Sequence, residues 1–189
     1  MNMHSTIKPA ADRSAWDAAM ARYMAAQAAS DEYDERVYRP VYDEIYRRAP
    51  RPDLTLKVPL ADGSTYTEQL IPAFLNSDCE RGRFGGAVVP FRDAWRAHEK
   101  TLAQVEQELG FAATAARHEA LVEDFSDAHT SLLLIPAPDL AALRWKLGET
   151  IEPGTGGDIN PWCDEIRLAI VADYERLLPN ALPIEAPQI

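Results

Sequence analysis

Apolar residues recur at helical spacing between Asp12 and Arg48: Trp16, Met20, Tyr23, Tyr33, Val37, Val41 and Ile45. On a wheel of about 100° per residue, Val37, Val41 and Ile45 form one line, with Tyr38, Tyr42 and Tyr46 beside it. The opposite face carries Glu32/Arg36, Glu35/Arg39, Asp43/Arg47 and Glu44/Arg48. Each is an acid-first pair at the spacing that supports a helix by about 0.2–0.5 kcal/mol. The pattern, rich in Ala, Glu, Arg and Met, predicts one long helix. Pro40 falls on the charged side, where it can kink the helix without entering a packed seam. The tyrosines then border a core or a partner helix rather than form a stacking ladder, because the flanking charge is balanced rather than basic.

The period changes after Arg48. Leu54, Leu56, Val58 and Leu60 alternate and Asp62-Gly63 follows, the signature of a β-hairpin. Pro59 confines the first strand to a sheet edge. IPAFLNSDCERGRFGGAVVP is irregular and glycine-rich. Residues 50–90 are thus expected to be a variable insertion between helices, carrying at most a small hairpin.

Helical spacing returns in FRDAWRAHEKTLAQVEQEL, where Phe91, Trp95, His98, Leu102, Val105 and Leu109 alternate by four and three as a coiled-coil seam does. Gly110 and Phe111 suit a left-handed cap with its hydrophobic contact. TAARHEALVEDFSDAHTSLLLI predicts a third helix with the face Leu121, Val122, Phe125, Leu132 and Leu133. The short link between the two predicts an antiparallel hairpin. A fourth helix begins near Pro138 and Asp139. Leu140, Leu143, Leu147 and Ile151 mark one side of it and Ala141 and Trp145 another, a pattern that predicts a sandwiched helix. After EPGTGGD, Asn160 caps a fifth helix that Pro161 starts. Its buried face is Trp162, Ile166, Ile170, Tyr174 and Leu177. Residues 1–11 read as a flexible arm and 179–189 as an extended tail.

Charge narrows the partners. With 30 acidic against 19 basic residues the net charge is −11, which repels nucleic-acid backbones and anionic membrane surfaces. Neither direct nucleic-acid binding nor a membrane partner is expected. Cys79 and Cys163 offer no disulfide framework and no metal-ligand spacing. The opening MNMHSTIKPAADRS lacks the apolar run of a signal peptide, and the run at Leu132 is too short to span a bilayer. The expectation is a cytoplasmic protein with reduced thiols.

The histidines are the first candidates for chemistry. His118 and His129 share a face of the third helix, but eleven residues at 1.5 Å rise set them about 16 Å apart, too far to share an ion. In a helical hairpin His98 comes within reach of His129, and Glu123 or Asp124 could add a carboxylate. His98, His129 and Glu123 are therefore the metal candidates, against a plainer role as polar residues that set the register of a seam. The Glu-x-x-His motif of carboxylate-bridged di-iron bundles is absent, with Trp95, Ala115 and Ser126 at the positions it needs. EPGTGGD lacks the Gly-Lys-Ser/Thr ending of a phosphate loop and reads as a linker. ERGRFGG resembles an RNA-binding box in a single copy and reads as a mobile loop in so acidic a chain. No nucleophile elbow or other catalytic signature stands out, so no catalytic residue and no cofactor is assigned.

WDAAMARYMAAQAASDEYDERVY, IPAPDLAALRWKL and PWCDEIRLAIVADYERLL, in this order around a variable middle, resemble a group of uncharacterised helical proteins of alphaproteobacterial genomes, often from prophage-like or other mobile regions. The resemblance covers roughly the first 48 residues and the last 70. It implies a bacterial, phage-linked origin and no activity, cofactor or site residue.

The fold class expected is all-α: a single domain over 1–189, a bundle or elongated helical hairpin of about five helices with a small irregular or β-hairpin insertion. The first helix, about 55 Å long if straight, exceeds what its shorter partners can cover. That mismatch predicts a homodimer through Trp16, Met20, Tyr23, Val37, Val41 and Ile45. The function expected is that of a non-enzymatic helical interaction or accessory protein with a protein partner. One alternative is an acidic nucleic-acid mimic acting on a DNA-binding protein, through the stretch from Glu119 to Glu152 with its seven acids and two bases. The other is a metal-dependent enzyme at the seam histidines.

Overall fold

The computed structural model describes residues 12–75, 85–150 and 164–179. They are mostly helical, with one small antiparallel hairpin. Helix α1 (Arg13–Tyr33) runs through a π turn (Asp34–Tyr38) into α2 (Arg39–Arg48). Strands β1 (Thr55–Pro59) and β2 (Thr65–Gln69) follow, then short 3-10 turns at Pro72–Phe74 and Gly85–Val88. Helices α3 (Val89–Glu108), α4 (Phe111–Leu134), α5 (Leu140–Thr150) and α6 (Asp164–Leu177) complete the order. The 1–11 arm, both cysteines, Ile151, the EPGTGGD linker, Asn160, Pro161, Trp162, most of ERGRFGG and the tail beyond 179 lie outside the described residues.

The chain divides into two compact units, residues 1–31 with 119–189 and residues 32–118. The boundaries fall inside α1 and inside α4.

In the first unit, Asp12 caps α1 by accepting the Ser14 N–H at 2.9 Å, and Asp139 caps α5 by accepting the Ala142 N–H at 2.9 Å. Satisfying these orphan donors sets where each helix starts, so Pro138 precedes α5 instead of opening it. Trp16, Tyr23 and Ala26 pack with Ala128, Leu132, Leu133, Leu143, Ile166 and Ile170 into one core. The predicted faces of α4 and α6 hold in large part, although Val122 is exposed. The face of α5 holds at Leu143, Leu147 and Trp145 but not at Leu140 or Ala141. Ala142, Leu143, Lys146 and Thr150 are buried, while Leu140 is 53% exposed.

The second unit holds two smaller cores. In one, Ile45, Ala49 and Val105 meet Val41, Leu102, Leu109 and Phe111. In the other, Leu54, Leu56, Leu70, Leu75 and Val88 meet Val58, Phe91 and Trp95. The expected hairpin insertion is therefore present, and it packs against α3 within the second unit. The α3 seam exists as a face, but its first part covers the hairpin and its second part packs on α2. A four-three spacing specifies a stripe and leaves open whether a helix or a sheet covers it.

Pro40 explains the π turn. It has no N–H to give the Arg36 carbonyl, and its ring crowds that oxygen. The wider turn relieves the clash, and the Arg39 N–H reaches back five residues to the Asp34 carbonyl. Three of the expected ion pairs form with other partners. Arg39 binds Asp34 at 2.6 Å instead of Glu35, Arg47 binds Glu44 at 2.6 Å, and Arg48 binds Glu108. Glu32/Arg36 forms as predicted, at 2.9 Å.

Candidate functional site

Leaving the π turn, the second unit carries a row of aromatic rings. Tyr38 stacks on His118, with centroids 4.1 Å apart and planes 13° apart. Tyr42 follows at 5.9 Å from Tyr38, and Tyr46 at 4.7 Å from Tyr42. Phe111 backs the row, 5.9 Å from Tyr38, and the Arg51 guanidinium lies 5.8 Å from the centre of the Tyr46 ring. Successive tyrosines meet because residues four apart share a helix face. The row borders the core as expected, with Val41 and Ile45 on its inner side, but Tyr42 remains 40% exposed. The neighbouring Tyr46 hydroxyl holds the Tyr42 phenol above its ordinary value. His118 Nε2 lies 3.5 Å from Asp34 Oδ1, and Tyr33 donates to the Thr114 carbonyl at 3.3 Å. These contacts pin α4 to the π turn.

The first unit has an aromatic cluster of its own. Tyr23 contacts His129 at 5.3 Å, Phe125 at 5.5 Å and Trp145 at 5.5 Å. At such spacing the rings fill the space between them. Burial, with the charges of Glu149 and Asp31, pushes the Tyr23 phenol up. His129 Nε2 is 3.3 Å from Glu149 Oε2 but off the line of a hydrogen bond, so this buried nitrogen has no hydrogen-bond partner among the described residues.

Beside it lies a charged group that the sequence reading missed. Lys146 is 0% exposed and Asp173 2%. Lys146 Nζ donates to Asp173 Oδ2 and to the Ile135 carbonyl, each at 2.6 Å. The Asp173 carboxylate also accepts the Ala137 N–H at 2.9 Å and Arg176 Nη2 at 2.7 Å. Arg176 reaches the Ala137 carbonyl as well, and Lys146 sits 5.6 Å from the centre of the Trp16 ring. Burial pulls Lys146 below its ordinary value and Asp173 only partly offsets it. Burial also pushes Asp173 up, but hydrogen bonds from Lys146, Ala137 and Arg176 outweigh it and leave the carboxyl below its ordinary range. Lys146 is bonded to the Ile135 carbonyl and Asp173 to the Ala137 N–H and to Arg176 of α6, so the pair works as a latch on the α4–α5 connection.

The predicted site residues are divided between the two units. His98 is buried in the second unit with its ring 5.1 Å from Trp95. His129 and an exposed Glu123 belong to the first unit. Among the described residues no three His, Cys, Asp or Glu side chains come together as a metal would require. The predicted dimer stripe also divides. Trp16, Met20 and Tyr23 serve the core of the first unit, while Val41 and Ile45 serve the second. Val37, inside the π turn, is 38% exposed. No helix among the described residues is long and apolar enough to cross a membrane. Comparison with protein families, with curated proteins and with solved structures found no match to the chain.

Proposed function

We propose that the chain is a non-enzymatic interaction protein, an accessory factor of a mobile bacterial element acting in the cytoplasm, which meets a protein partner through the tyrosine row. In this reading small helical bundles serve as the scaffold. The half-exposed sequence of rings from His118 through Tyr38 and Tyr42 to Tyr46, ending under Arg51, carries the reading. Tyrosine and arginine dominate interface hot spots. Rings already ordered by one another lose little side-chain freedom on binding. The rim is neutralised within itself by Arg39/Asp34 and Arg47/Glu44, which suits an apolar centre with a polar surround. The nucleic-acid-mimic reading draws less support. Asp124 engages Arg22 at 3.1 Å and Asp139 engages Arg13, so two of its acids already have basic partners.

A photo-crosslinking amino acid at position 42 of the full chain, used in cells with a control at the exposed Met24, tests the proposal. The expected result is one protein adduct formed from position 42 and absent from position 24. Tyr42→Ala should then weaken the purified complex about tenfold or more. Equal adducts from both positions, or binding indifferent to Tyr42→Ala, would refute the role of the row.

A further inference from the structure

The hairpin has two outer edges, and they differ. Leu54 and Leu70 pair by hydrogen bond, as do Leu60 and Ser64, at 3.0 and 2.8 Å. Hydrogen-bonded pairs alternate with non-bonded ones along an antiparallel ladder. With the register Lys57↔Thr67 and Val58↔Tyr66, the bonds inside the hairpin belong to 54, 56, 58 and 60 on one side and 64, 66, 68 and 70 on the other. The backbone groups of Thr55, Lys57 and Pro59 therefore point outward from β1, and those of Thr65, Thr67 and Gln69 point outward from β2.

The β1 edge is closed. Asp53 Oδ1 accepts the Thr55 N–H at 2.9 Å, Pro59 has no N–H, and a lysine stands between them. Capped donors, proline and lysine are the devices by which proteins protect an edge. The β2 edge has none of them. Thr65, Thr67 and Gln69 are all exposed, and no described residue bonds their outward backbone groups.

We propose that the outer edge of β2 docks on the same strand of a second copy, antiparallel and two-fold about Thr67, to make a continuous four-stranded sheet. TYTEQ is self-complementary in that register. Thr67 faces its own counterpart, Thr65 faces Gln69, and Tyr66 faces Glu68, so no like charges oppose one another. All three outward residues fall at hydrogen-bonding positions on both copies, which gives six backbone bonds. The Thr65–Gln69 pairing repeats one already made within the hairpin, where Thr55 Oγ1 donates to Gln69 Oε1 at 3.0 Å. A five-residue edge is far smaller than the roughly 1,600 Å² of a stable interface, so the association is weak and reversible. It uses no residue of the tyrosine row and stands or falls without it. It also gives self-association a surface other than the helix stripe, most of which the chain's own cores already cover.

The test is analytical ultracentrifugation of the full chain up to millimolar concentration, with Thr67→Pro, Thr67→Lys and Thr67→Glu. The Thr67 N–H points outward, so proline removes no bond within the hairpin, and circular dichroism verifies that each variant folds. Wild type should show concentration-dependent dimer, each variant alone should lose it, and mixing Thr67→Lys with Thr67→Glu should restore it. A wild type that stays monomeric throughout overturns the proposal. So does a dimer unaffected by all three substitutions, since its interface would then lie elsewhere.

Discussion

Removing either partner of the Lys146–Asp173 pair should destabilise the first unit by very different amounts. Asp173→Ala strands a fully buried ammonium with one carbonyl for company and takes away the acceptor of the Ala137 N–H. Breaking a buried pair in this way costs about 3–5 kcal/mol. Lys146→Met keeps the length of the stem and removes the charge, and Asp173 retains Arg176 and Ala137. Its carboxylate stays compensated, so the expected loss is about 1–2 kcal/mol, the worth of the two hydrogen bonds from Nζ less the desolvation relieved. The double variant Lys146→Met/Asp173→Leu should cost less than the sum of the singles, with a coupling of about 1–3 kcal/mol. Urea unfolding followed by circular dichroism and tryptophan fluorescence reads these values, since Trp16 and Trp145 both lie in this core. Equal losses from the two single variants, or strict additivity in the double, would refute the latch. Acid supplies a second arm. The Asp173 carboxyl is held below 3.8 in the fold, so its contribution is present above that value and disappears as pH falls through the lower, folded one. In Asp173→Asn this acid-dependent component should be missing.

Gly110 ends α3 at φ +64° with nothing within 4 Å of where a Cβ would stand. Gly110→Ala should thus cost about 1–2 kcal/mol through backbone strain alone, and a neutral result in urea unfolding would remove the left-handed cap from the account. Ile45→Ala should destabilise by about 2–5 kcal/mol, whereas Val37→Ser should stay within about 0.5 kcal/mol. Similar losses at the two positions would mean that the stripe is continuous through the π turn. Pro40→Ala returns an N–H to the helix, and amide exchange with carbon shifts across 34–39 should turn α-helical, the Arg39 N–H moving from the Asp34 carbonyl to that of Glu35. An unchanged pattern would assign the turn to the packing of Tyr38 on His118 instead of to proline.

Local chemistry was the most legible part of the fold. Alternation from Leu54 and the Asp62-Gly63 turn predict the hairpin, where Gly63 takes φ +83°. Period 3.6 locates the helices, and Gly110 marks the end of one. The identity of what covers each stripe was not legible. Trp16 and Ile45 both lie in apolar stripes of one continuous helical run, yet they serve different cores. Periodicity records that a face is dry and carries no label for its partner. The π turn was half legible in the same sense. Pro40 signals a disturbed helix, but a kink and a widened turn answer the same missing donor, and the choice between them depends on packing such as that of Tyr38 on His118.

The buried latch escaped a hydropathy reading because lysine and aspartate score as surface residues, although their positions give them away. Ile166, Ile170, Asp173 and Leu177 follow one helical face, and Ala142, Leu143, Lys146 and Thr150 follow another. A charge at a core position costs too much to remain alone. Two core-position charges of opposite sign on successive helices are therefore each other's most economical solution, and the 2.6 Å contact between them is that solution. The same logic separates the latch from the tyrosine row. Lys146 and Asp173 are bound to the chain's own carbonyl, amide and guanidinium groups, so their chemistry is spent on fixing the connection before α5. Tyr42 keeps two-fifths of its surface outside, so at the row ordered aromatic surface remains for another molecule to cover.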